Sequence, residues 1–184
     1  MNSGNFVPSE GTDEEKVLQQ LEEIVRGIAI LCKEGRILPA LMLVYSTLDI
    51  WASLIRKNST QDNQRSDFIM WVTEYMLPHP EISLSAVDLY AARCGMLHAL
   101  SPTSNLSREG KAKEIVYTKN GELALQASNS LRKQGKDGTH AAVAVPALLD
   151  ALMRAGGKFM QALAHDAVLS QRFVANGRYV FRIE

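Results

Sequence analysis

Arg93 and His98 are the side chains of this sequence whose types and spacing suit chemistry on a phosphate group. Histidine titrates near neutral pH and can move a proton, whereas arginine offers phosphate oxygens a planar, permanently charged fork. On an α-helix the two residues lie about 140° apart around the axis and about 7.5 Å apart along it. Their side chains therefore cannot stack on one another, and Tyr90 projects between their directions.

Signatures of metal-dependent and cofactor-dependent enzymes are missing from the sequence. It contains no Gly-rich phosphate loop, nucleophile elbow, paired-histidine zinc helix or calcium loop. The 4 histidines fall in separate segments, and Cys32 and Cys94 lie in apolar runs that predict buried small side chains rather than a disulfide or a metal site. We therefore expect no metal and no cofactor.

Composition and charge indicate one ordinary globular domain. The 184 residues are 46% hydrophobic, and 20 basic residues balance 20 acidic ones. A net charge of zero argues against binding of nucleic acid through bulk charge, so any such contact must be local. Residues 1–12 predict a flexible N-terminal tail without a signal peptide, and no apolar run is long enough to cross a membrane. We expect a cytoplasmic protein with no membrane contact, in which residues 13–184 form a single helical domain.

The helix that carries Arg93 and His98 has clear predicted boundaries. Ser85 and Asp88 have the spacing of a capping box, in which each residue's side chain accepts a hydrogen bond from the other's backbone amide. The helix should run from this cap to about Leu100.

Beside Arg93, the same helix carries a strip of small residues that would let another helix approach closely. Its members are Ala91, Ala92 and Gly95. The strip predicts a homodimer in which a twofold axis brings two Arg/His pairs into one cleft.

Three more helices are predicted before this one. The first follows Thr12 and Asp13 as candidate caps and stops at Gly35, and the second opens at Pro39 and is apolar nearly all round, so it should be central. The third ends at Pro78 and carries an aromatic stripe that should face the core. The stripe consists of Phe68, Trp71, Val72 and Tyr75.

The region after Leu100 gives mixed signals. Residues 115–118 predict a strand, and Asn120 and Gly121 are a hairpin signal. Residues 122–133 nevertheless fit a helix, and we favour the helix.

The C-terminal part should add a further helix. Pro146 starts it, it continues through Ala167, and Gly156 and Gly157 inside it predict a bend or a close packing point. Residues 179–183 alternate as a short terminal strand would.

Residues 38–100 resemble the HEPN superfamily of helical bundles, whose late helix carries an arginine, four to six further residues and then a histidine. The resemblance rests on a buried helix containing Asp49, a second helix with aromatics, and the Arg93 to His98 motif. Cys94 stands where active members often have a polar residue. The implied fold is mainly all-α: a HEPN-like helical bundle with a C-terminal helical extension, edged by a small β hairpin or a terminal strand.

The resemblance implies a metal-independent ribonuclease from a toxin–antitoxin or defence pair, with RNA and a cognate antitoxin protein as partners. In that chemistry a ribose 2′-hydroxyl attacks the adjacent phosphate, His98 moves protons, Arg93 stabilises the charged phosphorane and Asp49 orients one of them. Substrate would also meet Tyr90 and a run of basic residues that guides the phosphate chain. That run consists of Arg108, Lys111 and Lys113.

A structural interpretation of the same residues stays open. Arg93 would then be a salt-bridge partner of Asp49 or Asp88, His98 a satisfied residue at a helix end, and the basic run a solvated face. Under that interpretation the chain is a non-catalytic helical module that binds a protein partner or a small ligand.

Overall fold

A computed structural model describes residues 11–57 and 64–182, which form eight α-helices and two β-strands. The helices are α1 (Asp13–Lys33), α2 (Ile37–Leu54), α3 (Arg65–Trp71), α4 (Ala86–Ala99), α5 (Asn105–Arg108), α6 (Gly121–Lys133), α7 (Val145–His165) and α8 (Ala167–Phe181). The strands are β1 (Glu114–Thr118) and β2 (His140–Ala144). The fold is mainly all-α, as the sequence predicts.

The first helix has the boundaries that its end residues predict. Thr12 caps α1 through a capping box with Glu15, and Gly35 follows the helix with a φ of +69°, a conformation that favours glycine. Most of the predicted tail, residues 1–10, lies outside the described residues.

The second helix is the centre of the core. Ala40, Val44 and Leu48 on α2 have no exposed surface, which confirms the central position expected of a helix that is apolar nearly all round. Its 18 residues are long and apolar enough to cross a membrane by length and composition, contrary to our expectation for the sequence. More than half of α2 is buried by the other helices, however, as in the core helix of a soluble protein.

Aromatic side chains fill the space between α2, α3 and α7. Trp51 and Trp71 lie with their ring centroids 5.0 Å apart, and Phe159 lies 5.9 Å from Trp71. The predicted core stripe on α3, which continues as a π-helical turn over Val72–Met76, is thus confirmed. A Cβ at Gly156 would lie 2.6 Å from the Trp51 ring, so this glycine is the predicted close packing point.

The two strands are parallel, so the predicted β hairpin is wrong. Register runs from Glu114 opposite His140 to Thr118 opposite Ala144, and α6 makes the crossover that a parallel pair requires. Asn120 is an N-cap instead of a turn residue, because its Oδ1 accepts a hydrogen bond from the Leu123 amide at 2.9 Å. The helix that we favoured over residues 122–133 is confirmed as α6.

The C-terminal segment is helical as far as Phe181, so the predicted terminal strand is wrong for its described part, and residue 183 lies outside the described residues. The predicted helix from Pro146 is confirmed as α7, which ends at His165. The sequence analysis did not predict α8, which Asp166 caps by accepting hydrogen bonds from the Val168 and Leu169 amides. The middle of α8 docks on α2, where Asn176 donates hydrogen bonds of 2.9 Å to the carbonyls of residues 54 and 56.

Candidate functional site

The start of α4 is anchored in two directions by Asp88. Its Oδ2 accepts hydrogen bonds from the Ser85 amide (2.8 Å) and hydroxyl (2.7 Å), and the Ser85 hydroxyl accepts one from the Asp88 amide (3.1 Å), which confirms the predicted capping box. The second carboxylate oxygen of Asp88 accepts a hydrogen bond of 2.6 Å from the backbone amide of Lys113, the residue immediately before β1. Asp88 is therefore engaged in fixing α4 and does not pair with Arg93.

The end of α4 is fixed by the loop that follows it. Leu100 takes a left-handed conformation with φ of 47°, and the carbonyl of Gly95 accepts hydrogen bonds from the amides of Leu100 and Ser101. A Cβ at Gly95 would lie 2.5 Å from the Ser101 carbonyl oxygen. Only glycine leaves room for this loop, which turns the chain back over the helix.

This packing corrects the prediction that the small-residue strip is open to a second copy of the chain. Ala91 is 2% exposed and Ala92 is 9% exposed, and Gly95 is covered by the loop. The chain itself occupies the strip, so a homodimer would have to use another surface.

Asp49, Arg93 and His98 form a continuous chain of contacts. Nε of Arg93 donates to Oδ2 of Asp49 at 2.5 Å, and Nη1 lies 3.0 Å from Nε2 of His98. Because a guanidinium can only donate, Nε2 accepts, and the proton of the neutral imidazole sits on Nδ1. The two side chains do not need to stack in order to meet, since the long arginine side chain spans the intervening turn.

The electrostatics of this chain reflect partial burial. The Asp49 side chain is 18% exposed and that of Arg93 is 22% exposed, while His98 is exposed to solvent. Burial raises the pKa of the Asp49 carboxyl, and the neighbouring guanidinium only partly offsets this. Desolvation acts to lower the pKa of Arg93, but the hydrogen bond and charge of Asp49 outweigh it, so that pKa is raised.

Tyr90 stands one turn before Arg93 and is held by two neighbours. The Phe68 ring meets it edge-on with centroids 5.4 Å apart, and the Arg65 guanidinium lies 5.5 Å from its ring centroid. Burial raises the pKa of Tyr90, so the phenol stays protonated near neutral pH.

An open cleft of about 490 Å³ lies beside these residues, between the N-terminus of α3, α4 and α5. Its lining is Arg65, Tyr90, Cys94, Gly95, His98, Ser101, Thr103, Ser104, Asn105, Leu106 and Arg108. No acidic side chain occurs among these described residues. The cleft is thus lined by cations, an imidazole, hydroxyl groups and one aromatic ring, which is a set suited to an anionic ligand.

The structure divides the predicted site residues into two groups. Tyr90, His98 and Arg108 line the cleft. Arg93 is outside the lining but contacts His98, and Asp49 contacts Arg93. The two lysines of the basic run are not part of the lining. Lys111 is paired with Glu109 at 2.7 Å, and the described contact of Lys113 with α4 is made by its backbone amide.

Arg65 is a lining residue that sequence reasoning missed. It lies at the start of α3, in a polar segment without a motif, and meets Tyr90 only through the packing of α3 on α4. No spacing signal in the sequence could have found it.

The other described histidines do not join this site. His79 contacts Asp150 at 3.1 Å, and His140 lies 3.6 Å from Glu114. Among the described residues, no group of three or more His, Cys, Asp and Glu side chains is placed to hold a metal ion, and both cysteines are free thiols. The arrangement can orient a guanidinium and present an exposed imidazole to a bound anion.

Comparison with protein-family models, with curated proteins and with solved structures gives no significant match to this chain.

Proposed function

We propose that the chain is a HEPN-like, metal-independent endoribonuclease. One observation carries the proposal: a carboxylate-oriented guanidinium and an exposed imidazole meet at the edge of an open cleft whose described lining contains no acidic residue. Arginine and histidine together supply what cleavage of a phosphodiester needs, namely stabilisation of charge on the phosphate and transfer of a proton.

The reaction is attack of a ribose 2′-hydroxyl on the adjacent phosphorus. A bond forms between O2′ and phosphorus, the bond from phosphorus to O5′ breaks, and the proton of the hydroxyl passes to the leaving oxygen. Nη1 of Arg93 donates a hydrogen bond to Nε2 of His98, and while this bond holds, Nε2 cannot accept another proton. When a phosphate draws the guanidinium to its own oxygens, Nε2 is released to accept the 2′ proton, and the imidazolium can then protonate O5′.

Asp49 serves this reaction as a positioning residue. Its contact with Nε fixes one edge of the guanidinium, so that the Nη side faces His98. A fixed fork stabilises the developing charge without the cost of reorganising during the reaction.

The proposed biological setting is a toxin or defence component in the cytoplasm, with RNA as substrate and a cognate antitoxin as protein partner. A homodimer is also part of the proposal. Since the small-residue strip is covered, we place the dimer contact at the exposed end of α4, where Leu100 is 61% exposed next to His98.

The proposal is tested by incubating the full chain with total RNA, with single-stranded DNA and with RNA plus a chelator. We expect RNA to be cut with and without chelator, DNA to stay intact, and the products to carry cyclic phosphates. DNA cleavage or loss of activity with chelator would overturn the mechanism. Binding of RNA or protein without any turnover would instead indicate the non-catalytic helical module.

A further inference from the structure

Arg65 and Arg108 are two cations of the cleft that form no salt bridge with a carboxylate among the described residues, although the charge of Arg108 helps to lower the pKa of the Glu109 carboxyl. The guanidinium of Arg65 lies against the Tyr90 ring, and Arg108 donates to the side-chain oxygen of Asn105. Elsewhere in the fold, Arg26 and Arg154 are paired with carboxylates one helical turn away. Within the described parts of the chain neither guanidinium is bound by a carboxylate, so both can contact an anionic ligand.

Each of the two arginines has a side-chain contact in the cleft before any ligand arrives. The fully buried Phe68 ring packs edge-on against Tyr90. This contact fixes the orientation of the Tyr90 ring against which Arg65 lies. Behind Arg108, Ser104 is 6% exposed and caps α5 by accepting a hydrogen bond from the Ser107 amide at 3.2 Å. Preorganised cations lose less freedom on binding than free surface side chains do.

The size and shape of the cleft favour a single strand. Its volume of about 490 Å³ is within the usual range of small-ligand pockets, and it is open to solvent, so one segment of a longer chain can enter. A double-stranded RNA-binding domain contacts about 16 base pairs over successive grooves, which a cleft of this size does not match.

We propose that this cleft binds single-stranded RNA next to the scissile phosphate, with Arg65 and Arg108 each contacting a phosphate that flanks it. The inference rests on the proposed function for the identity of the ligand. His98 also lines the cleft, so the strand held by the two arginines passes the Arg93–His98 pair. The two arginines thus select an extended strand and place its scissile phosphate.

The test is binding of a single-stranded 2′-O-methyl oligonucleotide, which has no free 2′-hydroxyl and cannot be cut. Fluorescence anisotropy over a range of salt concentrations is measured for the full chain and for Arg65→Gln, Arg108→Gln and Lys133→Gln. Lys133→Gln is the control, because it removes one exposed positive charge in the last turn of α6, outside the cleft lining. Both arginine side chains are exposed at the surface, so neither substitution disturbs the core.

We expect each arginine variant to weaken binding about tenfold and to lower the slope of log affinity against log salt by about 0.7. Lys133→Gln should leave both quantities unchanged. An arginine variant that binds as the parent does would overturn the proposal, as would displacement of the oligonucleotide by an equal concentration of a 5′-mononucleotide.

The two proposals fail in different ways. If the arginine variants lose binding but the parent cuts no RNA, the strand site stands and the nuclease does not. If cleavage depends on His98 while Arg65→Gln and Arg108→Gln bind and cut normally, the nuclease stands and the strand site does not.

Discussion

Arg93 donates a hydrogen bond from Nη1 to Nε2 of His98, 3.0 Å away on the same helix. The pair is therefore assembled within one chain, although a helix turns the two backbone positions about 140° apart. Asp49 on the neighbouring helix α2 anchors the opposite edge of the guanidinium. A dimer is consequently not required to bring the arginine and the histidine together.

Asp49→Asn should slow RNA cleavage about a hundredfold, because a small displacement of the guanidinium spoils its alignment with the phosphate. Single-turnover rates measure this effect without interference from product release. The matched control is Asp150→Asn, which removes a carboxylate that is also bound to an arginine, but on α7. Equal rates for Asp49→Asn and the parent would show that Asp49 does not position Arg93.

The stability contributed by Asp49 should fall as pH rises. Burial raises the pKa of this carboxyl in the folded state. Below the pKa of the unfolded chain, the carboxyl is neutral in both the folded and the unfolded state. As pH rises from there through the folded pKa, the unfolded chain ionises more readily, and the folded state loses stability relative to it. We expect the unfolding free energy of the parent, relative to Asp49→Asn, to be smaller at about pH 7 than at about pH 3.5. Urea titrations at both values provide the measurement. A difference that grows with pH would mean that the pairing with Arg93 outweighs burial.

Ser85→Ala should destabilise the chain by about 0.5–2 kcal/mol, because it removes the acceptor for the Asp88 amide at the start of α4. Ser83→Ala is the control, since Ser83 is an exposed serine just outside the cap. Thermal melting of the three proteins measures the effect. Equal melting temperatures for Ser85→Ala and the control would show that the cap does not contribute to stability.

Tyr45 and Tyr117 join α2 to β1 through hydroxyl oxygens 2.5 Å apart. Tyr45 has no exposed surface, so Tyr117→Phe would leave its hydroxyl buried without this partner, at a cost of about 1–3 kcal/mol. Tyr45→Phe should cost a similar amount, because it leaves the Tyr117 hydroxyl without this partner, and burial raises the pKa of that hydroxyl to about 12. Denaturant unfolding measures the free energy of unfolding of both single variants and of the double variant. The double variant should lose less stability than the sum of the two single losses. Additive costs would mean that the hydrogen bond contributes nothing.

Features encoded by neighbouring residues could be predicted from the sequence. The caps at Thr12 and Ser85, the aromatic stripe of α3 and the proline at the start of α7 each act within one or two helical turns. In the candidate site, the residue types and spacing nominated Arg93 and His98, and the resemblance added Asp49.

Features that depend on distant parts of the chain could not be predicted. The pairing of β1 with β2 is parallel and depends on a crossover, and the Ala-rich β2 lacks a strand pattern of its own. Whether Gly95 faces a partner or its own loop depends on a chain reversal at Leu100. Arg65 reaches the cleft only because α3 packs beside α4.

The central claim is that His98 and Arg93 carry out cleavage, and the rate of RNA cleavage in chelator by matched variants tests it most directly. His98→Ala should slow cleavage by about 10²–10⁴, the usual worth of a proton-transfer group, and Arg93→Lys should be severely impaired because an ammonium lacks the planar fork. His140→Ala is the control, since this histidine lies on β2, outside the cleft lining. A folded His98→Ala/Arg93→Lys double variant that cuts RNA as fast as the parent would contradict the claim.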